Sequence, residues 1–291
     1  MRAFFTFLVF LFSATSYGQG NQTNVLFLGN SYTAANGLPS IFENFSNHAG
    51  DSSVAQSNTP GGFTLNGHTT NTTSQNLIQQ GDWDYVVLQE QSQLPSFSLS
   101  QVQTQCFPYA TTLDQQINSH NECAETVFYM TWGRENGDAG NCPNWPPVCT
   151  YEGMDSLLYE RYMFMGESNN AIVSPVGAVW RRIRESFGGI DLYAGDGSHP
   201  SAAGSYAAAC AFYTVIHRKD PTLVNWDFTL SSSSASIIRS ITKQVVFDSL
   251  STFFVGDYDT IPTASFSFDT AGLLADFTNL STLATHFLWE F

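Results

Sequence analysis

The chain has 291 residues, is 43% hydrophobic and 14% aromatic, which supplies one sizeable core and rules out a disordered chain. Only 12% of residues are charged, and 10 basic against 25 acidic residues leave a formal net charge of -15. That balance argues against nucleic acid and against an anionic lipid surface as partners, because little cationic surface exists to replace their counterions.

The first segment reads as a signal peptide over residues 1–18. Met1 and Arg2 supply one positive charge, residues 3–14 form an apolar run too short to span a bilayer, and the small residues Ser16 and Gly18 stand at cleavage positions. A secreted or periplasmic location follows, with Gln19 opening the mature chain. No other segment is long and apolar enough to form a membrane span.

Residues 24–30, NVLFLGN, are a short apolar run ending in Gly-Asn, a buried strand entering a tight turn. Over 37–49, Leu38, Ile41, Phe42 and Phe45 recur at helical spacing, with Pro39 tolerated in the first turn. Further apolar strands are expected at 84–89, at 125–132 and within AIVSPVGAVW. Helical character is expected at 99–118, 151–170, in VWRRIRESF, and at 201–217, the last helix before a connection that holds the Ser-rich patch 231–236. Strands alternating with helices imply a parallel sheet covered on both faces, with ligands bound at the carboxyl ends of the strands. This domain is expected over 19–256. From 257 the pattern becomes an alternation, Ala264, Phe266, Phe268, then Leu274 and Phe277, which is a β pattern with turns between.

Five cysteines occur. Export permits disulfides. Cys142 and Cys149 bracket the Pro-rich loop NCPNWPPVCT and are the first expected pair; Cys106 with Cys123 is the second. Cys210, in AAACAFY, reads as a buried small hydrophobe. No CxxC pair or nearby histidine supports a zinc site.

Two loops carry chemistry. Gly29-Asn30-Ser31-Tyr32-Thr33 places a serine just beyond a buried strand at a helix start, where backbone N–H groups face a developing oxyanion. Asp196-Gly197-Ser198-His199-Pro200 offers a histidine base and a carboxylate to orient it, from one turn. Each motif alone is commonplace as a turn; their combination and order are not.

Together they resemble the SGNH-hydrolase family over roughly residues 24–218. Gly29-Asn30-Ser31 matches the family's first block, and Asp196 to Pro200 matches its DxxHP block in full; LFLGNSYT and NGLP look closest to a poorly characterised bacterial branch. The resemblance implies an α/β fold, a flavodoxin-like three-layer α/β/α sandwich around a central parallel sheet. It also implies a triad of Ser31, His199 and Asp196. The family's oxyanion hole adds a glycine, matched by Gly62 with Gly61 in reserve, and an asparagine amide. Here VVLQEQS departs from the family's GxN block, so Gln91 is the expected donor and Gln89 the reserve. Residues 262–291 resemble the start of a PKD-type module, so a truncated C-terminal β-sandwich fragment is expected over 257–291.

Glu90, Trp132 and Trp145 are further candidates for substrate contact. Glu90 faces either solvent or substrate. Trp132, with Gly133 and Arg134, follows a strand and is placed to line the pocket. Trp145 is either a sugar-stacking platform or a packed loop residue. The resulting expectation is an esterase working through an acyl-enzyme, without metal or organic cofactor and without an obligate protein partner, on an acylated glycan. A lipase, lysophospholipase or thioesterase, or a glycan-binding protein on the same scaffold, are the rival readings.

Overall fold

In the computed structural model, residues 22–259, 266–271 and 274–280 are described. The expected signal peptide and most of the expected C-terminal module lie outside the described residues.

Five parallel strands form the sheet, β1 (Thr23–Leu28), β2 (Ser53–Asn58), β3 (Tyr85–Leu88), β4 (Glu125–Tyr129) and β5 (Ile172–Ser174), in the order β2-β1-β3-β4-β5. Among the described residues ten helices connect and cover them: α1 (Ser31–Ala34), α2 (Leu38–His48), α3 (Leu65–Thr70), α4 (Thr72–Ile78), α5 (Leu99–Gln105), α6 (Phe107–His120), α7 (Tyr151–Ser168), α8 (Val176–Ser186), α9 (Ala202–His217) and α10 (Ser232–Val245). Helices α2, α8, α9 and α10 pack together, and α3, α4, α5 and α6 form a second group. This is the expected three-layer α/β/α sandwich. Val25 to Leu28 are fully buried because β1 is interior and covered on both faces.

Register sets the site. Leu28 pairs with Asn58 of β2 and with Leu88 of β3. The chain therefore leaves all three strands at one level of one edge, delivering Gly29, the 59–64 loop and Gln89 together. Open parallel sheets bind ligands at this edge.

The structure departs from the sequence reading in four places. Strand β2 has no apolar run, because it is an edge strand with one neighbour and much of its length is solvent-exposed. The helical stretch at 99–118 is two helices: Cys106 is non-helical (φ -126°, ψ -65°), since Pro108 has no N–H and its ring would clash with the carbonyl of Thr104. The Ser-rich patch opens α10, where Ser231 caps the helix by accepting the N–H of Ser234; α9 is thus not the last helix. Finally, Cys142 and Cys149 are bonded, whereas Cys106 and Cys123 are separate free thiols. Cys106 is buried with its thiol directed at Met165 Sδ (3.7 Å), while Cys123 is exposed in the turn before β4, so the second expected pair does not form.

The β pattern near the C-terminus is an antiparallel hairpin, β6 (Phe266–Ala271) with β7 (Leu274–Asn279), Ala271 pairing with Leu274. Among the described residues no helix is long and apolar enough to cross a membrane.

The cysteine assignment makes a countable prediction. A small alkylating reagent should modify Cys123 alone in the native protein, three thiols after unfolding without reductant, and all five after reduction. A single reactive thiol in the unreduced, unfolded chain would mean that Cys106 and Cys123 pair after all.

Candidate active site

The first loop is shaped by what lies beneath it. After β1, Asn30 caps α1, its Oδ1 accepting the N–H of Tyr32 (3.1 Å). Ser31 is the first residue of α1, a position whose N–H has no acceptor within the helix. Gln89, at the end of β3 and fully buried, places its Oε1 under this turn, accepting the Asn30 N–H (3.0 Å) and the Thr33 hydroxyl (2.9 Å). Gly29 is what permits this: a Cβ there would stand 2.4 Å from Thr33 Oγ1 and 2.7 Å from Gln89 Oε1. His68, also buried, closes the other side, with Nε2 2.9 Å from Gly29 O and Nδ1 2.7 Å from Ser74 Oγ. Burial lowers its pKa to about 4, so the imidazole is neutral. It donates from Nε2 to the Gly29 carbonyl and accepts from Ser74 at Nδ1.

The second loop precedes α9. Ala194 N–H donates to His199 O (2.7 Å) and Gly197, in the left-handed region at φ +64°, donates to Ala194 O (2.9 Å). Asp196 Oδ1 accepts the N–H groups of Ser198 (3.0 Å) and His199 (2.9 Å). Its Oδ2 lies 2.5 Å from His199 Nδ1, and His199 Nε2 lies 2.8 Å from Ser31 Oγ. The His199 hydrogen bond, aided by the two backbone donors, pulls the Asp196 pKa down to about 2, even though 49% of its side chain is exposed. An ionised carboxylate requires a proton on Nδ1, which leaves the Nε2 lone pair facing the Ser31 hydroxyl.

The two loops are joined by an aromatic stack. Tyr32 lies flat on Trp132 (centroids 4.9 Å, 2° between planes), and Trp132 on Trp180 (3.6 Å, 8°). The Tyr32 hydroxyl bonds Ser198 Oγ (2.6 Å), Trp132 Nε1 donates to Ser198 O (3.1 Å), and the Tyr32 ring meets His199 edge-on at 5.2 Å. Trp132 therefore does not line the pocket as expected; it is fully buried and supports the histidine loop. Asn36, at φ 55°, adds a clamp from the α1 side, its Nδ2 donating to Pro200 O and Ser201 O (3.0 Å each).

The expected oxyanion residues divide. Gly61 and Gly62 are exposed in the turn closed by Phe63 N–H to Pro60 O (3.2 Å), and Gly62 has φ +69°. Asn30 Nδ2 donates to Phe63 O (2.8 Å), tying this turn to the serine turn. No acceptor among the described residues takes the Gly62 N–H. Gln91 braces its own turn: Oε1 accepts the N–H groups of Gln93 (2.9 Å) and Leu94 (3.1 Å), and Nε2 donates to Gln93 Oε1 (3.0 Å). Gln89 is not open to a substrate, because its Oε1 is spent under Asn30 and its Nε2 on Glu90 O.

Glu90 faces neither solvent nor substrate. Its side chain is fully buried, and its Oε1 accepts the N–H of Gln91 (2.6 Å) and of Leu65 (3.2 Å). Trp145 follows the packed-loop reading, half-buried with Nε1 donating to Ser96 O (2.9 Å). Arg134 is ion-paired with the buried Asp138 (3.1 Å), whose carboxylate also takes Gln93 Nε2 and Asn141 Nδ2 (2.6 Å each). Among the described residues no group of three His, Cys, Asp or Glu side chains is arranged to hold a metal ion.

Sequence reasoning missed the supporting residues. Asn30, Tyr32 and Ser198 stood inside the quoted motifs, yet nothing local marked them as supports; His68 and Asn36 had no signal at all.

No protein-family model matches the sequence, and no curated protein does. Solved structures do match. A DUF4886 family protein from Bacteroides uniformis is 15% identical, with a TM-score of 0.65, covering 77% of this chain and 94% of its own. At that identity the likeness speaks for the fold alone. A candidate SGNH hydrolase from Slackia heliotrinireducens is 26% identical, with a TM-score of 0.54, covering 66% of this chain and 97% of its own. The sheet order, the serine turn after β1, the Asp-His loop before α9 and these likenesses agree: the chain has the SGNH-hydrolase fold and is similar to hydrolases of that family.

Proposed function

We propose that this protein is an exported serine esterase that removes acyl groups, acetyl foremost, from a neutral glycan. The observation that carries the reading is the continuous relay from Ser31 Oγ through His199 to Asp196, at 2.8 and 2.5 Å.

In this reading Ser31 Oγ attacks the ester carbonyl carbon while His199 Nε2 takes its proton. The tetrahedral oxyanion is met by the N–H groups of Ser31 and Gly62. Gln91 is the third donor, and its Nε2 leaves Gln93 Oε1 to reach the substrate. Collapse expels the alcohol, which receives the proton from His199, and leaves acyl-Ser31. Water then attacks the acyl carbon, again losing its proton to His199, and free acid and Ser31 are released. Asp196 remains ionised and stabilises the imidazolium at each stage.

The substrate class has weaker but specific support. The net charge of -15 disfavours polyanions. The Asp196 and His199 side chains are 49% and 40% exposed, so a polymer can reach them. The PKD-like pattern of 257–291 resembles modules that accompany polysaccharide-active enzymes. The Cys142–Cys149 disulfide suits an oxidising compartment, in keeping with a signal peptide over 1–18.

The purified mature protein should hydrolyse p-nitrophenyl acetate faster than longer acyl esters and release acetate from an acetylated neutral glycan. Ser31→Ala should lower kcat by at least about 10³-fold and Asp196→Asn by at least about 10²-fold. Wild-type rates no higher than those of Ser31→Ala on every ester, with no fluorophosphonate label on Ser31, would refute the esterase.

The pH dependence follows from Asp196. Its carboxyl is depressed from the ordinary 3.8 to about 2, so its contribution to stability is present above the ordinary value and lost as pH falls towards 2. The triad carboxylate is therefore charged at every assay pH above about 4. The acidic limb of kcat/KM should therefore carry no step from Asp196 above about pH 4, and a second proton on that limb would contradict its role.

A further inference from the structure

The relay fixes Ser31, His199 and Asp196, but it does not set the spacing of the two loops that flank Ser31. One is the 59–64 loop carrying Gly62; the other follows β3 and carries Gln91. The first loop is held on one side by Asn30 Nδ2 at Phe63 O (2.8 Å). Its far end is Leu65, the first residue of α3, whose N–H faces Glu90.

We infer that Glu90 is a positioning residue for the oxyanion site: one buried carboxyl oxygen, bound to the N–H of Leu65 and of Gln91, holds the two loops at a single spacing. The inference rests on the esterase reading for its kinetic consequence, though not for its geometry. Oε1 takes both donors, at 3.2 and 2.6 Å, across 25 residues of sequence. No other side chain among the described residues accepts the backbone N–H of either residue.

The second oxygen shows which form of the acid the site is built for. Oε2 is buried without a hydrogen-bond partner. A carboxylate there would be a buried, half-solvated charge, whereas a neutral acid leaves one unpaired hydroxyl, which costs less. The titratable groups that face it are Cys106, between α5 and α6, and Tyr162, on α7. Burial raises both of their pKa values, so both are neutral and neither offsets a charge on Glu90. Burial pushes Glu90 itself up to about 8, against the opposing pull of the two backbone donors and of the nearby Cys106 thiol. The acid is then uncharged in the working range and ionises as pH rises through about 8. A negative charge beneath the loops opposes the oxyanion that they are proposed to receive.

Two substitutions test this. Glu90→Gln keeps an oxygen for both N–H groups and cannot ionise. It should retain kcat within about threefold near neutral pH and lack the decline above pH 8 expected of the wild type. Glu90→Leu keeps the bulk but removes the acceptor, and should lower kcat by about 10- to 100-fold with little change in KM. Backbone amide exchange at Leu65 and Gln91 should accelerate in Glu90→Leu and stay slow in Glu90→Gln. The inference is overturned if Glu90→Gln is as impaired as Glu90→Leu, if its alkaline decline persists, or if exchange at both amides is unchanged in Glu90→Leu. Should Glu90→Leu fail to fold, the alkaline profile and amide protection of Glu90→Gln decide alone. A wild type inactive on every ester would sink the esterase reading, and the exchange measurements would still judge Glu90.

Discussion

The amide oxygen of Gln89 beneath the serine turn is the contact on which the rest of the site depends. It binds Asn30 N–H and the Thr33 hydroxyl at once, and so fixes the backbone on both sides of Ser31. The contact exists because Gly29 has no side chain and because Leu28 and Leu88 end β1 and β3 at one level. Once that turn is fixed, Asn30 is aimed at Phe63, the Gly62 turn is brought alongside, and Tyr32 is turned onto Trp132. A parallel sheet makes such a convergence cheap: neighbouring strands point the same way, so their exits accumulate at one edge.

Charge is sorted by depth around this edge. The Asp196–His199 pair sits at the surface, where water helps to solvate it and where two backbone N–H groups hold the carboxylate. Beneath it, the titratable groups that brace the loops are buried and neutral: His68 lowered to about 4, Glu90 raised to about 8. Ionising either would cost desolvation with no partner of opposite charge in contact. In the proposed esterase reaction, the imidazolium and oxyanion would form over a floor of dipoles rather than of fixed charges. Such preorganised dipoles need no rearrangement as the reaction proceeds.

The parts legible in the sequence were those whose chemistry is local. Ser31 lies one residue beyond the cap of α1, and Asp196 reaches His199 within a single turn, so each motif carries its own geometry. Periodicity located β1, β3, β4 and β5 because they are interior and apolar, and lost β2 because an edge strand can be polar. It also gave no phase beyond a strand's end. After Leu88 the chain no longer alternates, and both Gln89 and Glu90 turn inward, so the residues expected to meet substrate support it from below instead. Trp132 follows the same logic after β4. The Cys106–Cys123 pairing failed for a different reason. Pairing is decided by tertiary position, and Cys106 at the break between α5 and α6 points into the core while Cys123 stays at the surface.

The rim of the site is built on separate anchors from its floor. Asp138 gathers Arg134, Gln93 and Asn141, and so links the disulfide loop to the turn that carries Gln91. Trp145 fastens the same loop to Ser96. None of these bonds passes through β1, α9 or the Tyr32–Trp132–Trp180 stack, on which the relay stands. Changes in residues 138–149 can thus reshape what approaches Ser31, and the two parts meet where Glu135 N–H donates to Gly197 O (2.8 Å). They also share the short segment from Gln89 to Gln93, where Gln89 holds the serine turn, Glu90 holds the loops, and Gln93 holds the rim. That concentration explains how this segment can depart from the GxN block and still serve the same edge: Gln89 and Glu90 face inward as supports, and Gln91 is left as the proposed side-chain donor.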